Sequence, residues 1–246
     1  MSTLAAPTRR TWALARANAV LLLRNRTTFF YALVMPLVPM ALLFVSGTDS
    51  NAAGANVITS VLLMAVLFPV YYGVLSQVVT RRDELVLKRL RTGEATDREI
   101  ALSIALPGVV IALVVALLAV PVALVAGMRF PSNPALYVLA ALVAAVVFAA
   151  LAFWTAAWTR NAEAGHMTSI PVIILAVVGT LAPSMPERLA EVLHRTPGGA
   201  MSELVSIGWY ADGGLRDAAE PLVVLAAWGV AAVSLAVRSM RWEPRT

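Results

Sequence analysis

Arg81-Arg82-Asp83-Glu84-Leu85-Val86-Leu87-Lys88-Arg89-Leu90-Arg91-Thr92-Gly93-Glu94-Ala95-Thr96-Asp97-Arg98-Glu99 is the stretch whose reading decides the architecture. It holds six of the nineteen basic residues of the chain and five of its fourteen acids. On either side the charges stop: Ser50 to Thr80 and Ile100 to Met128 contain no Asp, Glu, Lys or Arg. A helix crosses the hydrocarbon core of a bilayer with about 20 apolar residues. Each flank is therefore long enough to cross, and the island between them is a hydrophilic connection on one side of a membrane.

Working outward, the same interruption of charge recurs along the chain. Of the 246 residues, 60% are hydrophobic and 13% charged, whereas roughly a quarter of the residues of a soluble domain are charged. The chain reads as an integral membrane protein. Six uncharged intervals appear: Thr27 to Thr48, Ser50 to Thr80, Ile100 to Met128, Phe130 to Thr159, Ala164 to Pro186 and Pro221 to Val237. They lack the alternating pattern of a barrel, and in lipid a backbone must satisfy its own hydrogen bonds. The expected fold is all-α, one domain over residues 1–246, with six transmembrane helices at about 27–46, 57–79, 100–125, 135–158, 166–182 and 221–238. Trp228 and Trp242 are placed to set the depth of the last span at the interfaces.

Orientation follows from the basic residues. With both ends cytoplasmic, the inner segments carry Arg9, Arg10, Arg16, Arg24 and Arg26, the six of the island, Arg160, and Arg238, Arg241 and Arg245. The outer segments keep only Arg129, Arg188, Arg195 and Arg216. Basic residues favour the cytoplasmic side, so the reverse orientation breaks the rule at every loop. The expected setting is the cell membrane, multi-pass. The sequence pI near 10.2 then has a topological origin; no interleaved basic and aromatic surface suggests nucleic acid. The first apolar run is too long and too far from the start for a cleavable signal peptide. Without cysteine the chain has no disulfide, thiolate metal site or cysteine nucleophile.

Ahead of the first span, residues 8–26 read as an interfacial helix: Arg9, Arg16 and Arg24 share one side, and Leu14, Leu21 and Leu22 lie roughly opposite. The alternative is a plain cytoplasmic extension of the first span. Pro36 and Pro39 are expected to kink that span. The long outer segment 183–220 carries two short helix candidates, Glu187 to His194 and Ala200 to Trp209, separated by Pro197, Gly198 and Gly199. Leu189, Val192, Leu193, Leu204, Val205 and Ile207 make it too apolar for a solvated loop, so partial burial or a dip into the membrane is expected.

The island itself reads as a helix over 81–92, stopped by Gly93, with Glu84 and Lys88 paired at i, i+4. Thr96 and Glu99 form a capping box that starts the third span's helix in the cytoplasm. On a wheel Val79, Val86, Leu87 and Leu90 make an apolar face, with Asp83 near its middle. Asp83 either pairs with a cation of the N-terminal helix, Arg16 being one, or stays hydrated. A cap, a stop and an amphipathic face are more than a linker needs and point to a docking surface.

Residues 82–92 resemble the segment after the second span in type-2 ABC exporter permeases: an acid, three variable residues, Leu, a charged pair, Leu, then a turn. Asp83 stands where that family usually has Glu, and Leu87, Arg89 and Leu90 match its Leu-x-Arg-Leu core. Leu85 and Val86 replace its usual Gly-Thr, and Glu94 replaces a common Pro, so the local turn is expected to differ. The short inner loop with Asn161, Glu163 and Gly165 and the long outer segment extend the likeness over most of the chain. The resemblance implies a coupling helix that docks on an ATPase subunit through Asp83, Glu84, Leu87, Lys88, Arg89, Leu90 and Arg91, and short re-entrant helices outside. It also implies that the second and fifth spans line the cargo path, which makes Phe68, Tyr71, Tyr72, Ile173 and Val177 the candidate cargo contacts.

No G-x-x-x-x-G-K-[ST] loop is present, so ATP and Mg are expected on a separate ATPase subunit, in two copies. A second permease subunit, the same or a similar chain, is expected to complete the path, with membrane lipid around it. The expected role is export of an apolar or amphiphilic drug, antibiotic or natural product by alternating access. The alternatives are a lipid or glycolipid ABC exporter and an ion-coupled secondary transporter; the latter usually needs intramembrane ionisable groups, and no span carries one centrally. An enzyme has little support, because Ser76 and Ser103 have no base beside them in sequence and no metal-ligand cluster is visible.

Overall fold

The computed structural model describes residues 5–24, 26–46, 51–87, 96–210 and 216–239, and all secondary structure among them is helical. Helix α1 (Ala5–Arg24) leads into α2 (Arg26–Ser46), then α3 (Asn51–Ala65), a wide π-helical stretch (Val66–Tyr72) and α4 (Gly73–Asp83). After the island come α5 (Asp97–Val125), α6 (Pro134–Trp158) and α7 (Ala164–Thr180). A short 3₁₀ turn (Ala182–Ser184), α8 (Glu187–His194), α9 (Pro197–Tyr210) and α10 (Ala219–Ser239) complete the chain. Four helical runs are long and apolar enough to cross a membrane by length and composition: Gly54–Asp83, Asp97–Val125, Pro134–Trp158 and Ala219–Ser239. Ala164–Thr180 is a shorter apolar helix, and Arg26–Ser46 is 21 residues long with Pro36 and Pro39 inside it.

Local chemistry sets several of these boundaries. The Thr96 hydroxyl accepts from the Glu99 amide at 3.3 Å while the Glu99 carboxylate accepts from the Thr96 amide at 2.7 Å; this reciprocal cap begins α5 where the sequence placed it. The Asn133 side chain accepts from the Leu136 amide at 3.1 Å, and Pro134 takes the first helical position, where its missing N–H costs nothing. The second apolar helix starts at Asn51 rather than near residue 57, and Pro69 falls inside its π-helical stretch. Proline lacks the N–H of a regular turn and crowds the carbonyl four residues back; a wide turn relieves that clash. Helix α5 lies close against this turn, and a Cβ at Gly108 would meet the Pro69 carbonyl oxygen.

Helix α6 is the centre of the packing. Ala140, Ala141, Ala144, Ala145, Ala149, Ala152 and Ala156 are all buried on it, and such small side chains let neighbouring helices approach closely. The burial is uneven among the long helices: 67% of the most apolar stretch of α6 is covered, against 22% for α10. Helix α10 is thus peripheral, and Val223, Val230 and Val237 on it face outward, as the lipid side of a membrane helix does.

The segment between α7 and α10 differs from expectation in one respect. Pro197, Gly198 and Gly199 do not separate two helices; they open the second one. The Thr196 hydroxyl accepts from the Gly199 amide at 3.1 Å, and Pro197 is the first residue of α9. Helix α8 has no buried residue, whereas α9 buries Gly198, Gly199, Ala200, Met201, Leu204, Val205 and Trp209. Its far end is held by the loop before α6, where the Asn133 amide donates to the Gly208 carbonyl at 2.9 Å. Most of the apolar residues of α9 are therefore buried inside the protein, whereas Leu189 and Val192 of α8 stay exposed.

Candidate functional site

The C-terminal end of the second apolar helix is an elbow. Helix α4 stops at Asp83, and the amides of Glu84 and Leu85 close the last turn onto Thr80 at 2.9 Å and Arg82 at 3.1 Å. Leu85 then adopts φ 59°, the left-handed conformation that costs a non-glycine residue about 1–2 kcal/mol. This corrects the expected continuous helix over 81–92: the chain bends at Glu84 and Leu85, and helical structure resumes at Val86. The bend has a packing reason, because it turns Leu87 back into the core, where it is 1% exposed. Lys88, Arg89, Leu90 and Arg91 lie outside the described residues. Leu85→Gly is expected to keep the bend and remove the left-handed penalty. After the loss of glycine's extra chain entropy, about 0.5–1 kcal/mol, the thermal midpoint should hold or rise slightly; Leu85→Val should lower it.

Two adjacent arginines fasten the elbow. The Arg81 guanidinium donates to the Asn18 side chain at 2.7 Å and to Gln77 at 3.2 Å. Asn18, buried on α1, in turn donates to the Ser103 carbonyl of α5 at 2.7 Å. Arg82 points the other way and has no solvent exposure. Its two terminal nitrogens donate to the carbonyls of Ala156 at 3.0 Å, Thr159 at 2.5 Å and Arg160 at 3.0 Å, at the end of α6. Asp83 is exposed, 3.9 Å from the Arg82 side chain. The pairing of Asp83 with Arg16 is not the arrangement found; Arg16 faces outward, and the inward-pointing charge at the elbow is Arg82. Its position was legible as the next member of the buried stripe Leu75, Val78, Val79 at helical spacing.

Above the elbow, a cavity of about 790 Å³ opens between α1, α2, the second apolar helix and the start of α7. Phe68, Tyr72, Leu21 and Leu22 give it apolar lining, and Asn18, Gln77, Arg81, Glu84 and His166 give it polar lining. The wide π turn distributes its aromatic residues over two directions. Phe68 and Tyr72 face the cavity with ring centres 6.0 Å apart. The Tyr72 hydroxyl reaches the Ser169 hydroxyl of α7 at 3.3 Å. Tyr71 instead is fully buried and donates to Thr155 of α6 at 3.0 Å, so it anchors the turn and does not line the cavity. Ile173 is half-buried and Val177 exposed on α7, and neither lines the cavity. Asn18 and His166 were not marked as site residues from sequence; a lone Asn between alanines on an otherwise apolar helix face was the signal for the first.

Helix α7 is joined to the same assembly. The Thr159 and Thr168 hydroxyls are 2.7 Å apart, so the residue whose carbonyl accepts from Arg82 also touches the first turns of α7. Among the described residues no group of acidic, histidine or cysteine side chains is arranged to hold a metal ion. What the arrangement provides is a mechanical junction under an amphiphilic cavity.

A family model described as ABC-2 type transporter matches residues 9–184, which include α1, the elbow, the cavity and α7. A search of curated proteins found no match.

Proposed function

Since the chain belongs to the ABC-2 type transporter family, we propose that it is the membrane-spanning subunit of an ATP-driven exporter of apolar or amphiphilic small molecules. Partnership with an ABC ATPase subunit comes with the family. In this reading two such subunits carry ATP and Mg, and two permease chains, identical or similar, enclose the path. Six helices cross the cell membrane: α2, the run from α3 to α4, α5, α6, α7 and α10. Both ends and the elbow lie in the cytoplasm. ATP-driven closure of the ATPases moves residues 84–91, and that movement changes which side of the cavity is open.

The observation that carries the cargo class is the wall of the cavity. Phe68 and Tyr72 supply apolar contact, while Asn18, Gln77, Arg81 and His166 supply polar groups, which suits a molecule that combines an apolar body with a polar group. The described spans place no ionisable group at their centres for ion coupling. The test is reconstitution of the chain with its co-purifying ATPase in vesicles, with ATP-dependent movement of amphiphilic fluorescent dyes as the readout. Transport that requires ATP and falls on Tyr72→Ala mainly through a raised KM, by about tenfold, is the expected result. A deletion of this kind removes about 1.5 kcal/mol of apolar contact, and about 1.4 kcal/mol is tenfold. Dye movement driven by an ion gradient without ATP contradicts the reading.

A further inference from the structure

We propose that Arg82 is a positioning residue that makes the elbow and the inner ends of α6 and α7 move as one body, so that movement of the docking segment reaches both walls of the cavity. The inference rests on the exporter reading. It starts from a cost: a guanidinium with no solvent exposure is strongly unfavourable unless its donors are satisfied and its charge is matched. Here the three carbonyls of Ala156, Thr159 and Arg160 take the donors of the two terminal nitrogens, and Nε makes no hydrogen bond but lies 3.9 Å from the Asp83 carboxylate. The carbonyls lie at the C-terminal end of α6, where helix carbonyls lack partners and the helix dipole is negative. A cation at that position is favourable twice, as a donor set and as a charge.

Position in the chain makes the contact more than a cap. Arg82 is three residues before Leu85, where the backbone bends. Any displacement of the docking segment is applied next to it. On its far side Thr159 meets Thr168 of α7, and Thr155, one turn earlier on α6, holds Tyr71 of the wide turn. The last turns of α6 thus receive both the elbow and the aromatic segment. Tyr72 of the second apolar helix and His166 of α7, which both line the cavity, are both attached to this one block. Arg81 ties the same elbow to α1 and α5 through Asn18. With Arg82 removed, the elbow can swing on the Arg81 side without carrying α6 and α7.

The experiment compares wild type, Arg82→Met and Arg82→Lys, each purified with its ATPase and reconstituted, and measures cargo moved per ATP hydrolysed. Arg82→Met keeps the length and apolar stem but has no donors. Arg82→Lys keeps the charge but cannot fork over three carbonyls. The expected result is retention of the ATPase and basal hydrolysis within twofold of wild type. Cargo per ATP should fall at least tenfold in the Met variant and by an intermediate amount in the Lys variant. Lower folding yield alone reduces both rates together and leaves the ratio unchanged, so an unchanged ratio overturns the proposal. Should Arg82→Met fail to insert, the Lys variant decides: a wild-type ratio overturns the proposal and a reduced one supports it. Wild-type protein that shows no ATP-driven transport defeats the exporter reading instead.

Discussion

Leu87→Asp is expected to abolish ATP-driven transport and to reduce recovery of the ATPase with the chain at least tenfold, while the chain stays in the membrane. Leu87 is 1% exposed in the core just beyond the bend, so it anchors the segment that follows. A buried leucine of this kind contributes about 1.5–3 kcal/mol, and a buried unpaired carboxylate costs several kcal/mol more. The anchor therefore turns into a force that expels residues 86 onward from their seat. The spans are untouched, because the substitution is outside them. Pull-down of the ATPase with a tagged chain and membrane content by immunoblot measure the two halves of the result. Leu87→Met, which conserves volume, should behave nearly as wild type. Leu90 lies outside the described residues, but it shares the apolar face of Leu87 on the wheel and Leu90→Asp is expected to act in the same direction.

Gly198→Leu is expected to produce the largest loss of stability. A Cβ at Gly198 would fall on the carbonyl of Ala176 in α7, and one at Gly179 would meet the backbone of Gly198 and Gly199 in α9. At Gly198 the nearest atoms are all backbone atoms of Ala176, with no side chain to give way. Overpacking of an ordinary core costs typically 1–3 kcal/mol, and a site with only backbone opposite belongs at the upper end. For a chain of this size each kcal/mol moves the thermal midpoint by about 2–4 °C, so a drop of roughly 6–12 °C in detergent is expected. Ser206→Leu, at an exposed position of the same helix, should move it little. An unchanged midpoint for Gly198→Leu would show that α9 does not pack against α7 in this way.

How much of this was legible in the sequence depended on the range of the forces involved. Helix positions follow from uncharged runs and short-range caps: the Thr96 and Glu99 pair began α5 as read, and the apolar intervals located the long helices. What failed was decided by partners distant in sequence. Residues 81–92 have good helical propensity throughout, yet the seat for Leu87 and the carbonyls that receive Arg82 bend the chain at Leu85. The clue was present in the replacement of Gly-Thr by Leu85 and Val86. Its consequence was a strained residue rather than a lost turn. Asp83 drew attention on the wheel because a projection shows which residues share a face, not where the helix ends. Asn18 and Tyr71 are similar cases. Their roles come from Arg81, Ser103 and Thr155, residues between 63 and 85 positions away in sequence, and no local pattern carries that information. At Thr196 and Pro197 the error was different: Pro-Gly-Gly was read as a break, although proline at a first helical position and glycine at a close approach are both helix-compatible.

The absence of cysteine makes one measurement especially direct. A single cysteine is introduced at Glu84, exposed at the elbow, or at Arg188, exposed on α8, and labelled with a benzophenone maleimide in membranes containing the assembled complex. The account predicts that illumination captures the ABC ATPase subunit from Glu84→Cys and not from Arg188→Cys, and that capture from Glu84→Cys changes in yield when ADP is trapped with vanadate after hydrolysis. Capture of the ATPase from Arg188→Cys, or none from Glu84→Cys in a complex that still transports, would contradict it.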